Sequence, residues 1–171
     1  MREFIAASID ELCAAFARHG YNPTPIIDLG VLVASADGKV DERERAMLLD
    51  LFQALLETNV TAEVVDNLVS TSLDVIEAAG AESRARLVAT ILSDCDAVEA
   101  GVKVALAIAF ASLGLTDAER TVVDRLASAG GMAPARLAEL TEEVRRHVDG
   151  DPISVRQLMT PGRTSDPSIR T

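Results

Sequence analysis

Three carboxylates in one short stretch are the residues of this chain best placed to bind a cation. Asp37, Asp41 and Glu44 lie in the segment ADGKVDERE. With a glycine and a valine they match positions 5, 6, 8, 9 and 12 of the twelve-residue calcium loop. The first half of that loop does not match, because positions 1 and 3 would be Val33 and Ser35, and valine has no side-chain oxygen. The stretch is therefore not a complete EF-hand.

The same residues also fit the start of a helix that holds no metal. Gly38 permits the positive φ of a sharp turn, and Asp41 with Glu44 three residues later forms a capping box. Asp37 is then free to bond the backbone of its own turn. Two interpretations stay open: a capped turn alone, or a weak cation site formed by Asp37, Asp41 and Glu44. Such shallow oxygen ligands favour calcium or magnesium over zinc.

No set of residues in the sequence combines a nucleophile with a base. His19 and His147 lie near the ends of predicted helices, where the helix dipole favours a cation. Neither has a glutamate three residues before it, as a di-iron bundle requires. The sequence also lacks GxSxG, Walker, GxGxxG and HExxH motifs. We therefore predict that the protein is not an enzyme.

The composition limits the classes of partner. The 171 residues include 27 acidic and 16 basic side chains, for a net charge of −11. Nucleic acid and acidic membranes repel such a surface, whereas cations and basic protein surfaces remain plausible partners. Cys13 and Cys95 are too few for a disulfide framework and are expected to be buried thiols.

Apolar residues recur with helical spacing along most of the chain, and no strand pattern occurs. The sequence predicts an all-α bundle of about seven to eight helices. Helix starts are predicted at Thr61, Thr116 and Pro134, and a further capping box at Asp96 with Glu99. The apolar run 102–115 is too short for a bilayer, which needs about 20 residues, and is predicted to be the central buried helix.

The composition changes near the C-terminus, where glycines and prolines scatter through a polar stretch. We therefore predict one helical domain over residues 1–148 and an extended or partly disordered tail over residues 149–171. The N-terminus has an acidic residue at position 3 and no long apolar core, so it does not read as a signal peptide. We expect a cytoplasmic protein.

The order of apolar helix, short turn and acid-capped helix occurs twice in the sequence. The segment VASADGKVDERERAMLLDLFQAL aligns with IAFASLGLTDAERTVVDRLASAG at an offset of 75 residues, which places Glu44 on Glu119. Each unit is a helical hairpin that cannot bury its own apolar face, so two pseudo-symmetric repeats are predicted to pack together. The second copy keeps the cap, at Thr116 and Glu119, but has Ser112 and Leu113 in place of the aspartate and glycine.

This doubled pattern, over about residues 26–148, resembles the TerB-like tellurite-resistance family, which is similar to the N-terminal helical domain of DjlA co-chaperones. The resemblance implies an all-helical domain of two halves, linked to bacterial tellurite and related stress responses. It implies metal binding at Asp37, Asp41 and Glu44, with Glu119 as the counterpart in the second copy. It also implies a non-catalytic role in a larger, membrane-associated complex, although the sequence shows no J-domain and no transmembrane segment.

Two functional hypotheses follow. In the first, the chain is a TerB-like module of the tellurite and metal stress response that binds protein partners and a divalent cation. In the second, it is a purely structural interaction or oligomerisation bundle with no ligand, and its acidic surface recruits a basic partner. The sequence does not choose between them.

Overall fold

The computed structural model describes residues 2–56, 60–111 and 114–149, and these residues form eight α-helices and no strand. The predicted all-α class is confirmed. The helices are α1 (Arg2–His19), α2 (Thr24–Ala34), α3 (Glu42–Leu56), α4 (Ala62–Ala79), α5 (Ala81–Asp94), α6 (Val98–Ala109), α7 (Asp117–Ala129) and α8 (Pro134–Asp149).

Two helices, α2 and α6, form the centre of the bundle. Every residue of α2 from Ile26 to Ala34 is buried, and α6 is buried from Ala100 to Ala109 except at Lys103. The α6 helix packs against α1, α2, α7 and α8, while α2 also contacts α4 and α5. The central helix predicted at 102–115 is therefore shifted towards the N-terminus, and α2 is a second central helix that the sequence analysis did not identify as such.

Two glycines let neighbouring helices approach this centre closely. A Cβ atom at Gly101 would lie 2.5 Å from Cδ1 of Leu92, and one at Gly30 would lie 2.8 Å from Cδ2 of Leu48. Protein interiors are close-packed, so a methyl group at either position requires the leucine to move. These contacts set the spacing of α6 to α5 and of α2 to α3.

The apolar face predicted for α1 points into the bundle. Ile9, Leu12 and Phe16 are buried there, and each fully buried side chain of this kind contributes about 1.5–3 kcal/mol. Phe4 and Ile5 belong to the same predicted face, but their side chains lie outside the described residues.

Local sequence signals locate several helix starts correctly. The side chain of Thr61 accepts a hydrogen bond from the backbone N–H of Val64 at 3.4 Å, so it caps α4. Pro134 is the first residue of α8, a position where a missing N–H costs nothing.

The capping box predicted at Asp96 and Glu99 is wrong. Asp96 has a φ of 53°, in the left-handed region, and the N–H of Ala97 donates to the carbonyl of Leu92 at 2.8 Å. This is the Schellman arrangement that ends a helix, here α5. An N-cap needs a different, extended backbone, so Asp96 cannot also start α6. Glu99 pairs instead with Arg136 of α8.

A buried ion pair ties α2 to two neighbouring helices. Asp28 is 3% exposed, and Ser72 of α4 donates its hydroxyl to Oδ1 of Asp28 at 2.7 Å. The guanidinium of Arg84 on α5 pairs with the other oxygen of Asp28. The sequence analysis did not identify this pair, although a single carboxylate within an otherwise apolar helix signals a buried polar group that needs partners.

We predict that breaking this pair destabilises the protein strongly. Asp28→Leu leaves the Arg84 guanidinium, which is 21% exposed, without its counter-charge, and Arg84→Met leaves the Asp28 carboxylate unpaired. Each single variant should lose about 3–5 kcal/mol of unfolding free energy, whereas the double variant should lose much less than the sum. Urea unfolding followed by circular dichroism measures all three.

The exposed pair of Glu82 and Arg86 on α5 provides the control, because its side chains are 63% and 69% exposed. Arg86→Met should leave stability unchanged within error. Additive losses at Asp28 and Arg84 would show that the two residues do not act as a pair.

The predicted tail and one turn of the predicted repeat lie partly or wholly outside the described residues. In the structure α8 continues to Asp149, and the rest of the predicted tail, residues 150–171, lies outside the described residues, as do Ser112 and Leu113. Among the described helices, none has the length and apolar character needed to cross a bilayer.

Candidate functional site

The turn between α2 and α3 is closed by its own hydrogen bonds. The N–H of Gly38 donates to the carbonyl of Ser35 at 2.9 Å, and Gly38 has a φ of 95°, which explains the glycine. Asp37 is exposed, and its Oδ1 accepts the N–H of Lys39 at 3.2 Å. Asp37 therefore bonds the backbone two residues later, as an aspartate that precedes a glycine in a turn commonly does.

Asp41 and Glu44 form the capping box that the sequence predicts. Oδ1 of Asp41 accepts the N–H groups of Arg43 and Glu44, both at 2.8 Å. In return, Oε2 of Glu44 accepts the N–H of Asp41 at 2.8 Å. These bonds satisfy three backbone donors at the start of α3 that have no partner within the helix.

The second copy repeats this arrangement at the start of α7. Oγ1 of Thr116 accepts the N–H of Glu119 at 3.2 Å, and Oε2 of Glu119 accepts the N–H of Thr116 at 2.8 Å. The Thr116 hydroxyl also donates to the same Glu119 oxygen at 2.7 Å. Both predicted caps are confirmed.

The two capping glutamates meet inside the bundle. Glu44 is 4% exposed and Glu119 is 2% exposed, and Glu119 lies close enough to raise the pKa of the Glu44 carboxyl. Oε1 of Glu119 is buried and has no hydrogen-bond partner among the described residues. Two carboxyl groups at close range disfavour each other's ionised form.

The surroundings of Glu44 favour its protonated form. Burial raises the pKa of Glu44 from 4.5 to about 7, with repulsion from Asp41 and Glu119 adding to the effect and the Asp41 N–H opposing it. Desolvation and nearby like charge both disfavour a carboxylate. Glu44 is therefore mainly protonated below about pH 7.

The structure places the three residues of the predicted metal site in different surroundings. Asp37 is exposed at the turn, Asp41 is half-buried at the cap, and Glu44 points into the interior. Across the described parts of the chain, no three His, Cys, Asp or Glu side chains form a group that could hold a metal ion. The metal site stays a prediction.

The two histidines and two cysteines belong to other helices than the carboxylates of the predicted metal site, or to the end of α5. His19 and His147 are in the last turns of α1 and α8, where a cation is favourable, and Nδ1 of His147 lies 2.8 Å from the carbonyl oxygen of Glu143. Cys95 is buried and Cys13 half-buried, and neither forms a disulfide. They fit the structural roles expected from the sequence.

Comparison of the chain with protein-family models, with curated proteins and with solved structures finds no match. The TerB-like resemblance therefore depends on the sequence motif alone.

The Glu44–Glu119 pair predicts how stability depends on pH. Because the pKa of Glu44 is higher in the folded state than its usual 4.5, its contribution is fully present below pH 4.5 and is lost as the pH rises through about 7. A pKa difference of this size corresponds to on the order of 3 kcal/mol. Glu44→Gln should remove most of this dependence, because an amide oxygen can still accept the N–H of Asp41 and the amide does not titrate.

Urea unfolding at a series of pH values from 4.5 to 8 measures the effect as the difference between wild type and Glu44→Gln. Glu82→Gln, which changes an exposed carboxylate on α5, is the control and should follow wild type. If wild type and Glu44→Gln change in parallel across this range, Glu44 is ionised in the folded protein.

Proposed function

We propose that this chain is a non-catalytic, TerB-like helical module that binds protein partners in a tellurite or metal stress response. The observation that supports this proposal is the contact between Glu44 and Glu119. A helix cap requires each glutamate only to bond its own first turn. The caps of α3 and α7 do more, because they bring two carboxyl groups 75 residues apart in sequence into contact inside the protein.

Such a contact costs free energy, which the packing of the helices has to offset. Buried carboxyl groups lose hydration, and two of them together repel when both are charged. Two hairpin repeats that pack around their motif glutamates would place these residues together, as a doubled TerB-like motif implies. The proposal therefore includes a pseudo-symmetric arrangement of the two halves, with both turns on equivalent sides of the contact.

A divalent cation would occupy only a weak, water-rich site in this module. Asp37, Asp41 and Glu44 would hold it, with Asp37 as the most accessible ligand, and its role would be to stabilise the turn. Oδ1 of Asp41 and Oε2 of Glu44 already accept backbone N–H groups, so the protein offers few free oxygens. Calcium and magnesium tolerate such sites because they keep coordinated water.

We predict that calcium or magnesium binds the purified protein with a dissociation constant on the order of 10⁻³ M and that Asp37→Asn abolishes this binding. Isothermal titration calorimetry with calcium, magnesium, manganese and zinc measures it, and elemental analysis of the purified protein reports any tightly held metal. Asp74→Asn, at an exposed carboxylate of α4, is the control. Absent heat, or equal heat in wild type and Asp37→Asn, would remove the cation from the proposal.

The second candidate function is a structural interaction bundle with no ligand. It is favoured because the carboxylates of the turn already have hydrogen-bond partners. Each of Asp37, Asp41 and Glu44 has a backbone N–H partner without any ion. For such a bundle, partner binding should weaken steeply with salt while added metals change nothing.

A further inference from the structure

The α4 helix carries an apolar stripe on its outer face. Val64, Leu68, Thr71, Val75 and Ala78 follow one another at spacings of 4, 3, 4 and 3 residues. Residues spaced in this way lie along one side of a helix. Val64 is 42% exposed and Val75 is 37% exposed, Leu68 is half-buried, and Thr71 and Ala78 are exposed.

Packing within the bundle accounts for Leu68, which lies against the core, but not for the exposed valines Val64 and Val75. The buried residues of α4 are Val65, Ser72 and Ile76, which form a different face of the helix. Single exposed apolar residues are ordinary on protein surfaces. An alternating spacing of four and three over the length of a helix is instead the seam with which one helix packs along another in a coiled coil.

The row of residues beside the stripe is acidic. Each stripe residue is preceded in sequence by an exposed polar side chain, and this row consists of Glu63, Asn67, Ser70, Asp74 and Glu77. The whole of α4 contains no lysine or arginine, and the chain carries a net charge of −11. Two copies of α4 packed together would therefore bring acidic rows towards each other, which is unfavourable.

We infer that the outer stripe of α4 is the docking surface for an amphipathic helix of a partner protein, whose apolar seam is flanked by lysines and arginines. The stripe would supply the apolar contact, and the acidic row would select a basic partner and orient it. The inference rests on the proposed function, because it specifies the chemistry of the protein partner.

A designed peptide tests this surface on the full chain. The probe is a fluorescein-labelled helical peptide about three heptads long, with leucine at the seam positions and lysine or arginine beside them. Its twin carries glutamate in place of every lysine and arginine. Fluorescence anisotropy should show that wild type binds the basic peptide, that added salt weakens binding, and that the glutamate twin binds at least about tenfold more weakly.

Substitutions locate the binding on α4. The double variant Val64→Ser with Val75→Ser should reduce affinity for the basic peptide by about tenfold or more. Both side chains are well exposed, so folding should survive, and circular dichroism checks this. Leu87→Ser is the matched control, because Leu87 is 46% exposed on α5, and it should bind as wild type does.

Several outcomes would overturn the inference. The double valine variant could bind as wild type does, or the glutamate twin could bind equally well. Sedimentation could show a dimer of the full chain that the valine substitutions dissociate, which would make a second copy the occupant. The peptide could bind only when Ile153→Ser and Leu158→Ser are introduced, which would make residues 150–171 of this chain the occupant.

Failure of this surface is distinguishable from failure of the proposed function. The calorimetric test at Asp37 does not involve α4, so either result can be negative alone. A natural partner whose binding is unchanged by the two valine substitutions would leave the module's function in place and remove this docking surface.

Discussion

The contact between Glu44 and Glu119 is the constraint on which the arrangement of this bundle depends. Each glutamate satisfies backbone donors at the start of its own helix, so neither can move without exposing unpaired N–H groups. Because the two side chains also touch, the start of α3 and the start of α7 are held at one place in the interior.

The apolar centre and the buried ion pair of Asp28 act together. The α2 helix is buried along nearly its whole length, yet it contains Asp28. A charge there is tolerable only because Ser72 and Arg84 reach it from α4 and α5. The pair also fixes how these helices are placed. Apolar surfaces can shift along one another, whereas the hydrogen-bonded carboxylate of Asp28 fixes the positions of α4 and α5 relative to α2.

Sequence reasoning succeeds here where the deciding interactions are local. The caps at Asp41 and Thr116 involve residues three positions apart, and such patterns can be recognised directly in the sequence. Asp96 shows the limit of this approach, because the ending of α5 and the starting of α6 compete for one residue and require different backbone angles. The contacts of Asp28 span 44 and 56 residues, and no periodicity within a helix can specify a partner at that distance. The candidate site is similar: its residues were identified, but the meeting of two glutamates depends on how the helices pack.

The distribution of carboxylates separates structural from functional surfaces. Inside the protein, Asp28, Glu44 and Glu119 are engaged with helix starts, an arginine or one another, so they explain the fold without a ligand. Outside, the acidic row of α4 lies beside apolar side chains that the bundle leaves exposed. Exposed apolar side chains lose little hydration when they are covered, and a row whose only charges are negative disfavours a second copy of itself. The inferred docking surface is therefore on α4, where apolar side chains that the bundle leaves exposed lie beside carboxylates that the fold does not use.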